Sequence, residues 1–174
     1  MRLWSTVLVV CFYLGFTHVA RGAESLFERQ IPNDFQLLTD SQQHATVWAT
    51  CAAAYALLSD EREEQQPYYA QQSFEASMAI FYSQAVLHWQ QSGDDEEEVR
   101  RKLEQLKERS LALKFETQDQ VDQSFRSIES ETGKQAYLQK IENTVDICQD
   151  NAAQQQRYMA IHHNRKQPMV AIRE

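Results

Sequence analysis

Four glycines and three prolines are all the backbone breakers in this chain of 174 residues. They divide it into long pieces, and none of those pieces shows the two-residue alternation of a half-buried strand. Glycine is too scarce for a phosphate-cradling loop or a G-x-S-x-G turn, which removes two common catalytic frameworks. H-x-x-x-H and H-E-x-x-H are missing, so the usual helical zinc spacings do not occur. E-x-x-H is missing too, and with it the di-iron use of a helical bundle. No C-x-x-C exists to carry redox chemistry, and no C-x-x-C-H exists to attach haem covalently. The absence of an N-x-S/T sequon points toward a bacterial periplasm rather than a glycosylating secretory route.

The first 22 residues, "MRLWSTVLVVCFYLGFTHVARG", have a different character. Arg2 precedes an apolar run from about Leu3 to Phe16, and Ala20 and Gly22 occupy the small-residue positions before Ala23. This is the pattern of a secretory signal peptide cleaved before Ala23. The run falls short of the roughly twenty apolar residues that span a bilayer. Cys11 lacks the small preceding residue of a lipidation box, since Val10 stands there. Residues 23–174 then form a single helical domain, periplasmic or secreted.

Charge sharpens the class. The whole chain carries −8, from 17 basic and 25 acidic residues. Removing Arg2 and Arg21 leaves 15 basic against 25 acidic, a charge of −10. Nucleic acid and anionic membranes both require a basic footprint, so neither is an expected partner.

Helical spacing fills the rest of the chain. A first main helix opens at Thr39, Asp40 or Ser41, all good N-caps, and ends near Asp60. Its stripe is Val47, Trp48, Cys51, Tyr55 and Leu58. A second helix starts at Pro67, where a missing N–H costs nothing, and runs to about Gln91. Its stripe of Phe74, Met78, Phe81 and Ala85, widened by Ile80, Tyr82, Val86, Leu87 and Trp89, marks it as the most buried helix. Gly93 stops the second helix and Asp94 caps the third, whose acidic start suits the helix dipole. Glu96, Glu97 and Glu98 stand four residues before Arg100, Arg101 and Lys102, so this basic triplet reads as a solvated, charge-paired face. Val99, Leu103, Leu106 and Leu113 supply its buried side. The apolar phase slips near Thr117, and "TQDQ" has the form of a capping box, which predicts a kink or short break there. Gly133 introduces a last helix over Lys134 to His163, with Leu138, Ile141, Val145, Cys148, Ala152, Met159 and His162 in rhythm and Gln155 interrupting it. Pro168 ends regular structure ahead of an irregular tail. A short apolar segment with Leu26, Phe27, Ile31, Phe35 and Leu37 precedes the first helix. The expected fold is all-α, an up-and-down bundle of about four main helices.

Without the leader, Cys51 and Cys148 are the two cysteines left. Both sit on apolar stripes, on the first and last helices, which are neighbours in an up-down-up-down bundle. Export supplies oxidising conditions, so a Cys51–Cys148 disulfide is expected. His44, His88, His162 and His163 lack metal-ligand spacing and read as capping or surface groups. Met78, Met159, His88 and His162 are nominal haem ligands, outweighed by ordinary packing. No catalytic residue, cofactor or metal site is expected. The remaining reading is an exported bundle that acts by contact with a protein partner. A carrier of haem, metal or a small apolar ligand is the first alternative, and an enzyme with an unfamiliar site the second.

Overall fold

The computed structural model describes residues 33–38, 40–91 and 96–166. The expected leader at 1–22, the apolar positions 26, 27 and 31, the Gly93–Asp94 boundary and the tail after Lys166 lie outside the described residues. Within them the chain is all-α. Five helices occur, α1 (Ser41–Glu61), α2 (Gln66–Gln91), α3 (Glu96–Arg126), α4 (Glu131–Asp150) and α5 (Ala152–Lys166), with 3-10 turns at Phe35–Leu37 and Glu63–Gln65. No helix among the described residues is long and apolar enough to cross a membrane.

Asp40 caps α1 by accepting the Gln42 N–H at 2.8 Å. The helix then runs through alanine, the residue with the highest helix propensity. Ala45, Ala49, Ala52, Ala53 and Ala54 are buried along with the larger Val47, Trp48, Tyr55, Leu57 and Leu58. α1 packs against α2, α3 and α4, so it is covered on nearly every side. The most buried helix is therefore α1 and not the second helix, as the stripe of aromatics had suggested. Short side chains are what let three neighbours come close to one rod.

α2 meets α1 through small residues of its own. Ala76, Ala79, Ile80 and Ser83 are fully buried, while Phe74 is turned outward and is 63% exposed. Ser73 donates its hydroxyl to the Ala52 carbonyl at 2.8 Å, a bond between helices that requires close approach of the two backbones.

α3 is continuous through Thr117, so the short break expected there does not occur. The Thr117 hydroxyl donates back to the Leu113 carbonyl at 2.7 Å, so it bonds within the helix and does not cap a new one. The turn into α4 depends on Gly133. A Cβ there would lie 2.7 Å from Ile128 Cγ2 and 2.8 Å from Ser130 Oγ, the atom that caps α4 by accepting the Gly133 N–H.

The expected last helix is two. α4 stops at Asn151, whose backbone adopts φ −98° and ψ 5°. Its side chain explains the stop. Asn151 Oδ1 accepts the Phe35 N–H at 2.9 Å, and Nδ2 donates to the Asn33 and Ile147 carbonyls at 2.8 Å each. The break lets one amide hold the segment before α1 against the bundle. Phe35 is thereby fully buried with its ring edge-on to Trp48, 5.0 Å between centroids.

Cross-links along α1 fix the register. His44 touches Tyr158, Cys51 bonds Cys148, and Arg62 pairs with Glu142, so numbers fall along α5 and α4 as they rise along α1. The helices are antiparallel, as the disulfide required. The two Cα atoms are 5.8 Å apart, inside the range a disulfide tolerates, and both cysteines are buried. The bond closes a loop with a sequence separation of 97 residues. Such a loop is worth about 4–5 kcal/mol through the entropy of the unfolded chain. Denaturant titration should show that loss in Cys51→Ser under oxidising conditions. Reductant should then cost the parent protein a similar amount and the variant nothing. Equal stability of oxidised parent and variant would contradict the assignment.

Candidate functional site

Two buried histidines and one open groove are the candidates. His44 lies at the start of α1 with both ring nitrogens engaged. Nε2 stands 3.0 Å from the Leu38 carbonyl, which can only accept, so Nε2 carries the proton. Nδ1 then accepts from the Tyr158 hydroxyl at 3.2 Å, and that hydroxyl in turn accepts from Gln154 Nε2 at 2.9 Å. Burial lowers the His44 pKa below 6.5, outweighing the Leu38 carbonyl and Asp40, which raise it. The neutral ring is thus a structural tie between α1, α5 and the segment before them.

His162 is enclosed by α2. Its ring lies 4.5 Å from Tyr82, 4.9 Å from Trp89 with only 19° between planes, and 5.6 Å from Phe81. It is 4% exposed, which corrects the expected capping or surface role and makes it the wedge that docks α5 onto α2. His163 faces solvent, and His88 and Met159 are half-buried. Among the described residues, no three His, Cys, Asp or Glu side chains converge in a way that could hold a metal ion.

Beside His162 a groove of about 520 Å³ opens between α2 and α3. From α2 it takes Phe74, Ser77, Met78, Phe81 and Tyr82. From α3 it takes Arg100, Leu103, Glu104, Lys107, Ser110, Leu111 and Lys114. Deeper in the same interface, Gln84 Nε2 donates to Ser110 Oγ at 3.0 Å and to the Ile80 carbonyl at 3.1 Å. Ser77 and Ser110 spend their own hydroxyl protons on the Ser73 and Leu106 carbonyls. Large apolar groups stand at the mouth: Phe74 and Leu111, 63% and 49% exposed, with Phe115 exposed just beyond. Of the nominal haem ligands, Met78 and His162 both reach this lining.

Arg100, Lys107 and Lys114 follow one another at seven-residue intervals along the α3 lip. None makes an ion pair among the described residues, and the side chain of Glu96, the expected partner of Arg100, lies outside them. Adjacency along the chain groups the cations as 100 to 102. A search for cations in helical phase would have found 100, 107 and 114. The outward turn of Phe74 has no such signal, because an aromatic in phase with Met78 and Phe81 reads as core.

The histidine tie has a measurable consequence. Unfolded chain takes up a proton at His44 near pH 6.5, whereas the folded chain resists it. Stability from this group is complete above about pH 6.5 and is lost as pH falls toward the lower folded value. The parent protein should lose stability relative to His44→Gln between pH 7 and pH 5, by at most the slope of one proton. A stability difference that is flat across that range would contradict the tie.

No protein-family model matches the chain, and no curated protein or solved structure matches it, so the meaning of the groove rests on its own geometry.

Proposed function

We propose that this is an exported binding protein, working by contact and not by chemistry, with the α2–α3 groove as its contact surface. The observation that carries the reading is the pair Phe74 and Leu111, two large apolar side chains held about half or more exposed on opposite lips of one concavity. Exposed apolar groups gathered around a concavity are where partners bind, since leaving them in water gains nothing for the fold. Export is supported by the leader pattern of residues 1–22 and by the buried Cys51–Cys148 bond, because structural disulfides persist mainly in oxidising compartments.

Photocrosslinking tests the assignment of the surface. A photoreactive phenylalanine analogue at Leu111 should trap a discrete partner in the protein's native compartment. The same group at Gln139, exposed on α4, should trap none. Equal labelling from both positions would place the contact elsewhere.

A further inference from the structure

We propose that the occupant of the groove is an amphipathic helix with acidic side chains seven residues apart. This deepens the preceding reading and rests on it. Arg100, Lys107 and Lys114 lie on the α3 lip. At 1.5 Å of rise per residue, they are spaced about 10.5 Å apart and span about 21 Å. A second helix lying along α3 presents every seventh residue at nearly the same interval, because seven residues make almost two whole turns. The opposite lip has the matching period, with Phe74, Met78 and Phe81 at i, i+4 and i+7 of α2. One wall can therefore take an apolar stripe while the other takes a row of carboxylates, the usual division in helix-in-groove recognition.

Charge selects the sign. The chain as a whole carries −8, yet the described residues lining the groove bring three cations against the single acid Glu104. The three cations make no ion pair among the described residues. A fatty acid or other single-headed amphiphile would engage one of them and leave two unmatched along the remaining length. A helix with recurrent acids engages all three. Exposed apolar surface also continues past the groove to Phe115, farther than a short ligand would need.

The test uses the full exported chain and four probes. N-phenyl-1-naphthylamine, a neutral apolar dye, reports the groove. Two synthetic helical peptides of about 18 residues, five turns long, share a Leu/Phe face and differ in carrying Glu or Lys at every seventh position. Dodecanoate below its micelle concentration stands for the single-headed ligand. The dye should bind the parent and bind Phe74→Ser less well. The Glu peptide should displace it, with affinity falling as salt rises, and the Lys peptide should be at least tenfold weaker. Reversing Lys107 and Lys114 together to Glu should invert the preference, provided its circular dichroism matches the parent's. Inversion is the informative readout, since a misfolded variant loses both peptides. Equal affinity for the two peptides would overturn the acidic helix, as would displacement by dodecanoate but not by the Glu peptide. Either result leaves the groove standing as a contact surface. Dye binding indifferent to Phe74→Ser, with neither peptide bound, would overturn the groove itself.

Discussion

The slenderness of α1 sets the rest of the architecture. Ala45, Ala49, Ala52, Ala53 and Ala54 leave so little volume around its axis that α2, α3 and α4 all pack directly on it. Through its middle such a helix has little solvated face and no single apolar stripe, because nearly every side is buried. Its contribution is geometric as much as hydrophobic. Methyl side chains bury little area each, but they bring backbones near enough for Ser73 to bond the Ala52 carbonyl across the gap. The larger residues Trp48, Tyr55 and Leu58 then fill the spaces left between rods, as dense packing requires. Cys51 sits in the middle of this rod and ties it covalently to the end of α4.

A hub of this kind leaves the outer helices underemployed toward one another. α2 commits Ala76, Ala79, Ile80 and Ser83 inward and seals itself to α5 around His162. α3 commits Leu106, Ser110, Thr117 and Val121. The remaining faces of α2 and α3 meet at the Gln84–Ser110 bond and diverge outside it, and the groove is the space between them. Phe74 and Leu111 stand exposed on its two lips. The same divergence leaves the row of cations on the α3 lip, where a fully packed pair of helices would have had to neutralise or exclude it.

Most of what was legible in this fold depends on local sequence, and cysteine count with helical phase added one distant pair. Asp40 caps where a capping residue precedes an apolar run, and Cys51 and Cys148 pair because each lay in phase with an inward stripe. What stayed hidden depends on partners distant in the chain. Asn151 looks like an ordinary polar residue until Asn33 and Phe35, more than a hundred positions earlier, are brought to its amide. Thr117 offered a local capping signal that packing overrode, and its hydroxyl turned back into the helix. Burial of α1 was underestimated because alanine scores weakly as a hydrophobe and says nothing of how many neighbours it admits. For the groove, the seven-residue row of cations was present in the sequence, but the lip opposite was not, since Phe74 is outward only by virtue of the packing of α2 on α1.

The central claim is that α1 is the element on which the others depend. Native-state hydrogen exchange, read residue by residue, tests it most directly, because amides at the centre of a cooperative unit exchange only through global unfolding. Amides from Ala49 to Leu58 should be the slowest in the chain and should accelerate when the disulfide is reduced. Those of α3 along the groove, from Leu103 to Phe115, should exchange through smaller openings. Exchange in α1 as fast as in that stretch of α3 would contradict the account.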